Sequence, residues 1–377
     1  MYAGLEIDLG AIRRNAATLA QLVAPAKLMA VVKANAYGHG IAAVARALRG
    51  VAGRFGVYAV EEAVELRSAG IREPLLVMGP VAPGDLATAY RLGAAISLWD
   101  RGMYPNEVAA VAGREGAPFP IHVKLNTGVA RLGLDPADAP DAIREYLSTP
   151  ELQLEGIFSH LAAAEELDSM FTEQQLATFD GVLDAVQYDI ADLEPGPLRH
   201  VAASAAAMLW PQTRLDMVRV GIALYGLWPS LETRNFMNGR GIDLIPALRW
   251  TTQIVAVREV AAGTTVGYGR TFTAPGPMTI GILPIGYAEG IPRAASNRGR
   301  VLVNGIRCPV VGRICMNMAL VDVSTVRDPY PGMKVTLIGS DGPEAIGADD
   351  WAEWSGTISY EIVARLPANI PRTFAGP

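Results

Sequence analysis

The chain contains few of the residues that build disulfide frameworks or zinc sites, since its 377 residues include 2 cysteines and 4 histidines. Cys308 and Cys315 are too few for a disulfide scaffold, and the scattered histidines supply no ligand set with them. No apolar segment reaches the ~18 uninterrupted residues of a membrane-spanning helix, and the N-terminus lacks the charged-then-apolar pattern of a signal peptide. These absences predict a cytoplasmic protein with no metal and no membrane attachment.

The chain also lacks an excess of positive charge and is short of lysine. Its formal net charge is −6, and no basic run is present, which argues against nucleic acid as a partner. The sequence holds 32 Lys and Arg residues, but the lysines are only Lys27, Lys33, Lys124 and Lys334. Arginine keeps its proton in proteins, whereas a desolvated lysine can lose it. A lysine at a functional position therefore suggests a neutral amine that acts as nucleophile or base.

Lys33 occupies such a position. The apolar run Leu28–Val32 is typical of a strand buried on both faces, and His39–Arg49 has the spacing of an amphipathic helix. The lysine lies between them, at the carboxyl end of the strand, where α/β proteins bind ligands. The alternative is a lysine that merely lines a solvated loop.

Seven more apolar runs follow, most of them separated by segments of helical period. Eight strands interleaved with helices over about 230 residues predict a (β/α)8 TIM-type barrel, close to the usual ~250 residues. We assign residues 1–232 to this barrel. The predicted strands are Leu28–Val32, Phe55–Val60, Pro74–Met78, Ala94–Leu98, Pro120–Leu125, Leu152–Ser159, Leu198–Ala203 and Met217–Leu224.

From residue 233 onward the pattern changes, because glycines and prolines become frequent and the apolar runs become short and alternating. This pattern predicts a mainly-β C-terminal domain over residues 233–377. Its predicted strands are Trp250–Val257, Met278–Pro284, Arg300–Val303, Arg307–Gly312, Met318–Val323 and Lys334–Ile338.

Polar residues at the ends of the barrel strands are the candidate site. TIM-type barrels often bind phosphate in the loops after strands seven and eight, through backbone amides and hydroxyls. The sequence has neither of the common glycine-rich nucleotide loops. A lysine amine facing a phosphate site instead suggests pyridoxal phosphate held as a Schiff base. The candidates are Lys33, Tyr37, Lys124, Arg131, His160, Ser204, Arg219, Gly221 and Ile222.

Eight motifs, in order along the chain, resemble those of the alanine racemase family. The first, VVKANAYGHG at residues 31–40, is similar to the family's cofactor-attachment motif. The resemblance covers nearly the whole chain. The other motifs are KLNTGVARLG at 124–133, SH at 159–160, VRVGIALYG at 218–226, VGYG at 266–269, GYA at 286–288, GRICM at 312–316 and SYE at 359–361.

This resemblance implies a two-base racemisation of alanine through a pyridoxal phosphate aldimine. Lys33 would hold the cofactor and act as base on one face of the substrate, and Tyr268 would be the base on the other. In the family this tyrosine reaches in from the second subunit, so a homodimer with composite sites is implied. The product, D-alanine, would supply peptidoglycan.

The resemblance also implies roles for the remaining candidates. Arg219 would face the pyridine nitrogen with support from His160, and Arg131 would contact the cofactor and the substrate carboxylate. Lys124 would be the lysine that is often carbamylated, and the Met316 backbone would contact substrate. The implied phosphate ligands are Tyr37, Ser204, Gly221, Ile222 and Tyr360.

Three positions depart from the commoner family pattern, and three other functions stay open. Asn126 and Asn317 stand where aspartates are frequent, and Ala203 stands where asparagine is expected, which leaves the substrate preference open. The alternatives are a racemase for serine or larger amino acids, a decarboxylase on the same barrel, and a non-catalytic pyridoxal phosphate carrier. Arg293 and Arg313 match entrance arginines that favour a small substrate.

Overall fold

The computed structural model describes residues 2–102 and 105–376 and divides into two compact units. One unit comprises Ala11–Ala36 and Ile41–Ile245. The other comprises Met1–Gly10, Tyr37–Gly40 and Pro246–Pro377. A domain boundary between residues 232 and 233 stays a prediction. Within the described residues, no helix has both the length and the apolar character needed to span a membrane.

The first unit is built on a sheet of eight parallel strands. In chain order these strands are β2 (Lys27–Val31), β3 (Arg54–Val57), β4 (Leu75–Val77), β5 (Ala94–Leu98), β6 (Phe119–Lys124), β7 (Leu152–Phe158), β8 (Leu198–His200) and β9 (Met217–Val220). They run in the order β8-β7-β6-β5-β4-β3-β2-β9. A bridge between Ala203 and Arg219, with the Arg219 amide donating to the Ala202 carbonyl over 2.9 Å, joins the last strand to the segment after β8. This confirms the TIM-type barrel.

Helices follow most of these strands and bury their apolar faces. Strand β5 is buried along its whole length, as expected for a strand covered on both faces. Met29, Leu76, Ala95 and Met217 form one buried cluster contributed by four strands. The helices are Leu9–Val23, Ile41–Ala47, Val60–Ser68, Leu86–Arg91, Pro105–Glu115, Ala139–Leu147, Met170–Ile190, Ser204–Leu209 and Leu231–Asn238.

The second unit is mainly β, as predicted. The strands are β1 (Gly4–Asp8), β10 (Leu248–Gln253), β11 (Ala256–Val260), β12 (Thr265–Val266), β13 (Phe272–Thr273), β14 (Met278–Leu283), β15 (Arg300–Val303), β16 (Ile306–Pro309), β17 (Ala319–Asp322), β18 (Lys334–Asp341), β19 (Glu344–Ile346) and β20 (Arg372–Ala375). The largest sheet has the order β16-β15-β18-β10-β1-β20, with β19 paired to β18, and two smaller sheets are β11-β14-β17 and β12-β13. Two helices, Ala348–Ser355 and Ser359–Ala364, complete it.

Candidate active site

Lys33 follows β2 and begins a left-handed turn. Ala34, Asn35 and Ala36 all have φ of 53° and Tyr37 has φ of 52°, although none of them is glycine. Each such residue costs roughly 1–2 kcal/mol relative to the right-handed form, so the turn needs compensating bonds. The Ala36 amide donates to the Val32 carbonyl over 2.8 Å. The lysine is thus presented by a backbone with one defined conformation.

The environment of Lys33 favours its neutral amine. Burial, followed by the charges of Arg131 and Arg219, lowers the pKa of Lys33, and the Glu62 carboxylate opposes this shift. The same causes act on Lys124 at the end of β6, where burial and then Arg131, Arg219 and Lys33 lower the pKa to about 8. Four basic side chains therefore meet at the carboxyl ends of the strands, an arrangement that attracts anions.

Lys124, Arg131 and His160 line one small cleft beside β6 and β7. Lys124 is buried and Arg131 is exposed. Asn126 orders this loop, because its side-chain oxygen accepts the Ala130 amide over 2.9 Å, and Ala130 has a left-handed φ of 53°. The asparagine that departs from the family pattern therefore has a structural role in the loop that carries Arg131.

Arg219 is buried, and its guanidinium is fixed by acceptors on the neighbouring strands. Nη1 donates to the His200 carbonyl over 2.7 Å and contacts His200 Nδ1 at 2.9 Å. Nη2 donates to the carbonyls of Ser159 and Val201 over 2.7 and 3.0 Å and lies 3.3 Å from His160 Nδ1. Burial lowers the pKa of Arg219 to about 10, so the guanidinium keeps its charge at neutral pH.

The contacts of Arg219 continue through the barrel interior as a chain of polar side chains, which we call the barrel relay: Arg219, His200, His122, Arg54 and Glu155. His200 Nε2 lies 2.9 Å from His122 Nδ1. Beyond His122, Arg54 Nη1 lies 3.2 Å from its Nε2, and Arg54 Nη2 donates to Glu155 Oε2 over 2.7 Å. The interior of a TIM-type barrel is usually filled by branched apolar side chains.

Arg219 fixes the tautomer of His200. An arginine can only donate, so His200 Nδ1 accepts and its Nε2 carries the proton. At His122 two donors compete, because His200 Nε2 faces Nδ1 and Arg54, which also only donates, lies 3.2 Å from Nε2. A neutral ring cannot accept at both nitrogens, so these contacts do not assign the His122 tautomer. Burial lowers the pKa of His200 well below its usual range and that of His122 to about 4, so both rings are neutral at pH 7.

Gly156 makes room for the barrel relay, because a Cβ at this residue of β7 would lie 2.3 Å from His122 Nδ1. We expect Gly156→Ala to lower the free energy of unfolding by about 1–3 kcal/mol, the usual cost of overpacking a core. Thermal denaturation would measure this. The matched control is Gly181→Ala in helix Met170–Ile190, where an added Cβ meets no atom within 4 Å and is expected to be neutral or slightly stabilising. Equal melting temperatures for the two variants would contradict the prediction.

Three of the predicted phosphate ligands lie together after β8 and β9. The Ser204 hydroxyl accepts the Gly221 amide over 3.1 Å, and Ile222 follows directly as a buried residue. Ala203 precedes Ser204 with an extended backbone and no side chain to contribute a cap.

The other predicted site residues lie in the second unit. Tyr37 and Tyr360 have ring centroids 6.3 Å apart, and burial raises the pKa of Tyr37. Tyr268 is 72% exposed and stands between Gly267 and Gly269, both of which have positive φ.

Met316 is also exposed, and the residue after it departs from the family pattern. The side-chain amide of Asn317 donates from Nδ2 to Glu289 Oε1 over 2.7 Å. An aspartate at position 317 would set two carboxylates against each other, so the asparagine is explained by its neighbour.

Sequence reasoning did not identify Glu62 or the members of the barrel relay other than Arg219. His122 and His200 lie inside predicted strands, and a histidine in an otherwise apolar strand was the available signal. Glu155 lies inside the predicted strand Leu152–Ser159 and was a similar signal. Arg54 carried none, because a charged residue at the start of a strand is ordinarily solvated.

Both domains of one enzyme family match the chain. The alanine racemase N-terminal domain matches residues 7–229, and the C-terminal domain matches residues 247–374.

Curated relatives of similar length and a solved structure agree with this match. The alanine racemase of Halothermothrix orenii is 38% identical over 98% of this chain and 96% of its own length, and that of Symbiobacterium thermophilum is 39% identical over 98% and 96%. The crystal structure of alanine racemase from Streptomyces lavendulae has a TM-score of 0.93 at 35% identity and covers 100% of this chain and 98% of that one. The chain therefore belongs to the alanine racemase family, and it is an enzyme of the racemase class.

Proposed function

We propose that this enzyme interconverts L-alanine and D-alanine with pyridoxal phosphate as cofactor and with Lys33 and Tyr268 as its two bases. The observation that carries the proposal is a lysine of lowered pKa, fixed at the end of a barrel strand beside two arginines. The name shared by the relatives supports alanine as the substrate.

The residues present fit pyridoxal phosphate. Lys33 supplies the amine that an aldehyde needs, and the cluster of Lys124, Arg131 and Arg219 suits an anionic ligand. The Ser204 hydroxyl with the Gly221 and Ile222 backbone would bind the phosphate, together with Tyr37 and Tyr360. When bound, the cofactor withdraws electrons from the substrate Cα and makes its hydrogen acidic.

Arg219 limits how strongly the site withdraws those electrons. Its guanidinium keeps its proton at a pKa of about 10, so it would hold the pyridine nitrogen by a hydrogen bond without delivering a full proton. Three backbone carbonyls fix its orientation. His160 contacts it at 3.3 Å and stays neutral, because burial and the Arg219 charge lower the pKa of His160 to about 3.

Lys33 and Tyr268 would move the proton at Cα from opposite faces. Burial lowers the pKa of Lys33, which raises the fraction of neutral amine that can accept a proton from Cα. Tyr268 would come from a partner subunit, which makes a homodimer necessary for activity. Its 72% exposure on a turn bounded by glycines, with Met316 also exposed, supports a role at a subunit interface.

Lys124 is proposed as a carbamate that orients Arg131. A carbamate forms when a neutral amine adds carbon dioxide, and a pKa near 8 leaves an appreciable neutral fraction at pH 7. The two side chains line the same cleft. A supply of D-alanine for peptidoglycan and a cytoplasmic location stay predictions.

The optical rotation of an L-alanine solution tests the proposal. With purified protein and added pyridoxal phosphate, we expect the rotation to decay to zero and to decay equally from D-alanine. A constant signal with alanine and decay with L-serine or L-lysine would indicate a different racemase if no carbon dioxide is released, and a decarboxylase if it is. A constant signal with all three would favour the carrier.

A further inference from the structure

The Glu62 carboxylate accepts hydrogen bonds from two backbone segments that are far apart in the sequence. It lies in the first turn of helix Val60–Ser68, and its Oε2 accepts the amides of Tyr58 and Ala59 over 2.7 and 3.3 Å. Those two bonds cap the N-terminus of the helix. Its Oε1, however, accepts the Ala34 amide over 2.5 Å, 28 residues away and directly after Lys33.

The bond to Ala34 is made where the backbone enters a left-handed conformation. Ala34 is the first of four consecutive non-glycine residues with positive φ. A left-handed conformation at a non-glycine residue is unfavourable and persists only where surrounding contacts hold it. A second bond, in which the Ile41 amide donates to Asn35 Oδ1 over 2.9 Å, holds the middle of the same turn.

Glu62 is also the carboxylate that opposes the positive charges around Lys33. Arg131 in the loop after β6 and Arg219 on β9 disfavour a protonated amine, and the Lys124 amine at the end of β6 is coupled to it as well. The Glu62 charge acts in the opposite direction. Glu62 therefore opposes the lowering of the Lys33 pKa that burial and the two arginines cause.

We propose that Glu62 is a positioning residue for Lys33: its carboxylate holds the amide that follows the lysine and places a fixed negative charge beside the amine. The inference rests on the proposed function only in taking Lys33 as the reactive amine. The acceptor geometry and the charge belong to the protein without any ligand.

Chemical labelling of the cofactor-free full chain tests this, and the scarcity of lysine makes the test clean. Acetylation with isotope-coded acetic anhydride at a series of pH values, read by mass spectrometry, gives a midpoint for each of the four lysines. Lys27 and Lys334 are exposed and act as internal references. In Glu62→Gln we expect the Lys33 midpoint to fall and its labelling at pH 7 to rise by about three- to tenfold, the range for loss of one nearby charge that is largely screened by water.

The matched control is Glu61→Gln, which removes the same charge from the preceding, exposed residue of the helix. Glutamine at position 62 retains an acceptor oxygen for the helix cap, so both variants are expected to melt near the unmodified protein. A fall of the Lys33 midpoint confined to Glu62→Gln supports the proposal. An unmoved midpoint, or equal movement in both variants, overturns it.

Hydrogen exchange of the Ala34 amide in the unmodified protein provides an independent result if Glu62→Gln does not fold. Slow exchange supports the bond, and exchange at the rate of an unprotected amide overturns it. Neither measurement uses turnover. The labelling result therefore does not depend on racemase activity, so either proposal can fail without the other.

Discussion

Lys33→Ala is expected to reduce racemisation of alanine by at least about 10⁴-fold, because one change removes both a base and the proposed attachment point of the cofactor. Arg219, His160 and Ser204 would still bind the cofactor's ring and phosphate, so binding should weaken without disappearing. The measurement is the initial rate of optical change from L-alanine at saturating pyridoxal phosphate.

Lys27→Ala is the control for this experiment. Lys27 is the first residue of β2, it is exposed, and it lies on the strand that leads to Lys33. Its removal should leave the rate within about twofold, as expected for a surface change away from the site. Activity of Lys33→Ala within tenfold of the unmodified protein would rule out this lysine as the essential base.

Mixing two inactive variants is expected to restore activity if each site is shared between subunits. In a hybrid dimer of Lys33→Ala with Tyr268→Phe, one site carries both substitutions and the other carries neither. Random exchange makes half of the dimers hybrids, so about a quarter of all sites should be intact. The expected rate is therefore about a quarter of that of the unmodified enzyme.

The control mixes Lys33→Ala with the double variant that carries both substitutions. Every site in its hybrids lacks Lys33, so no activity should return. Subunit exchange must be verified in both mixtures, for example with differently tagged chains. An inactive first mixture after complete exchange would mean that Lys33 and Tyr268 do not act in one composite site.

The barrel could be predicted because each of its strands is a local pattern. A strand covered on both faces has to be a short apolar run, and β5 matches its predicted range Ala94–Leu98 residue for residue. The first strand of the chain shows the limit of this reasoning. β1 pairs with β10 and β20, more than 240 residues away in sequence, and no local pattern of Gly4–Asp8 records those partners.

The candidate site was predictable to the extent that motifs name residues. The apolar run before Lys33 placed this lysine at a strand end. The left-handed turn after it could not be predicted, because Ala34 and Ala36 are not residues that favour positive φ. Glu62 was invisible for a similar reason. An acidic residue in the first turn of a helix is ordinary, and only the fold brings its second oxygen to the Ala34 amide.

The barrel relay has a consequence for how this protein can change over evolutionary time. Neighbouring members contact one another through polar atoms in the barrel interior, so a single replacement takes a contact away from a buried polar group. Gly156 adds a steric condition, because the His122 ring occupies the space of its missing side chain. Substitutions at these positions should be strongly epistatic, and an apolar interior could replace the polar one only through several changes made together. The barrel relay therefore restricts which single substitutions the barrel interior can accept, in addition to supporting Arg219.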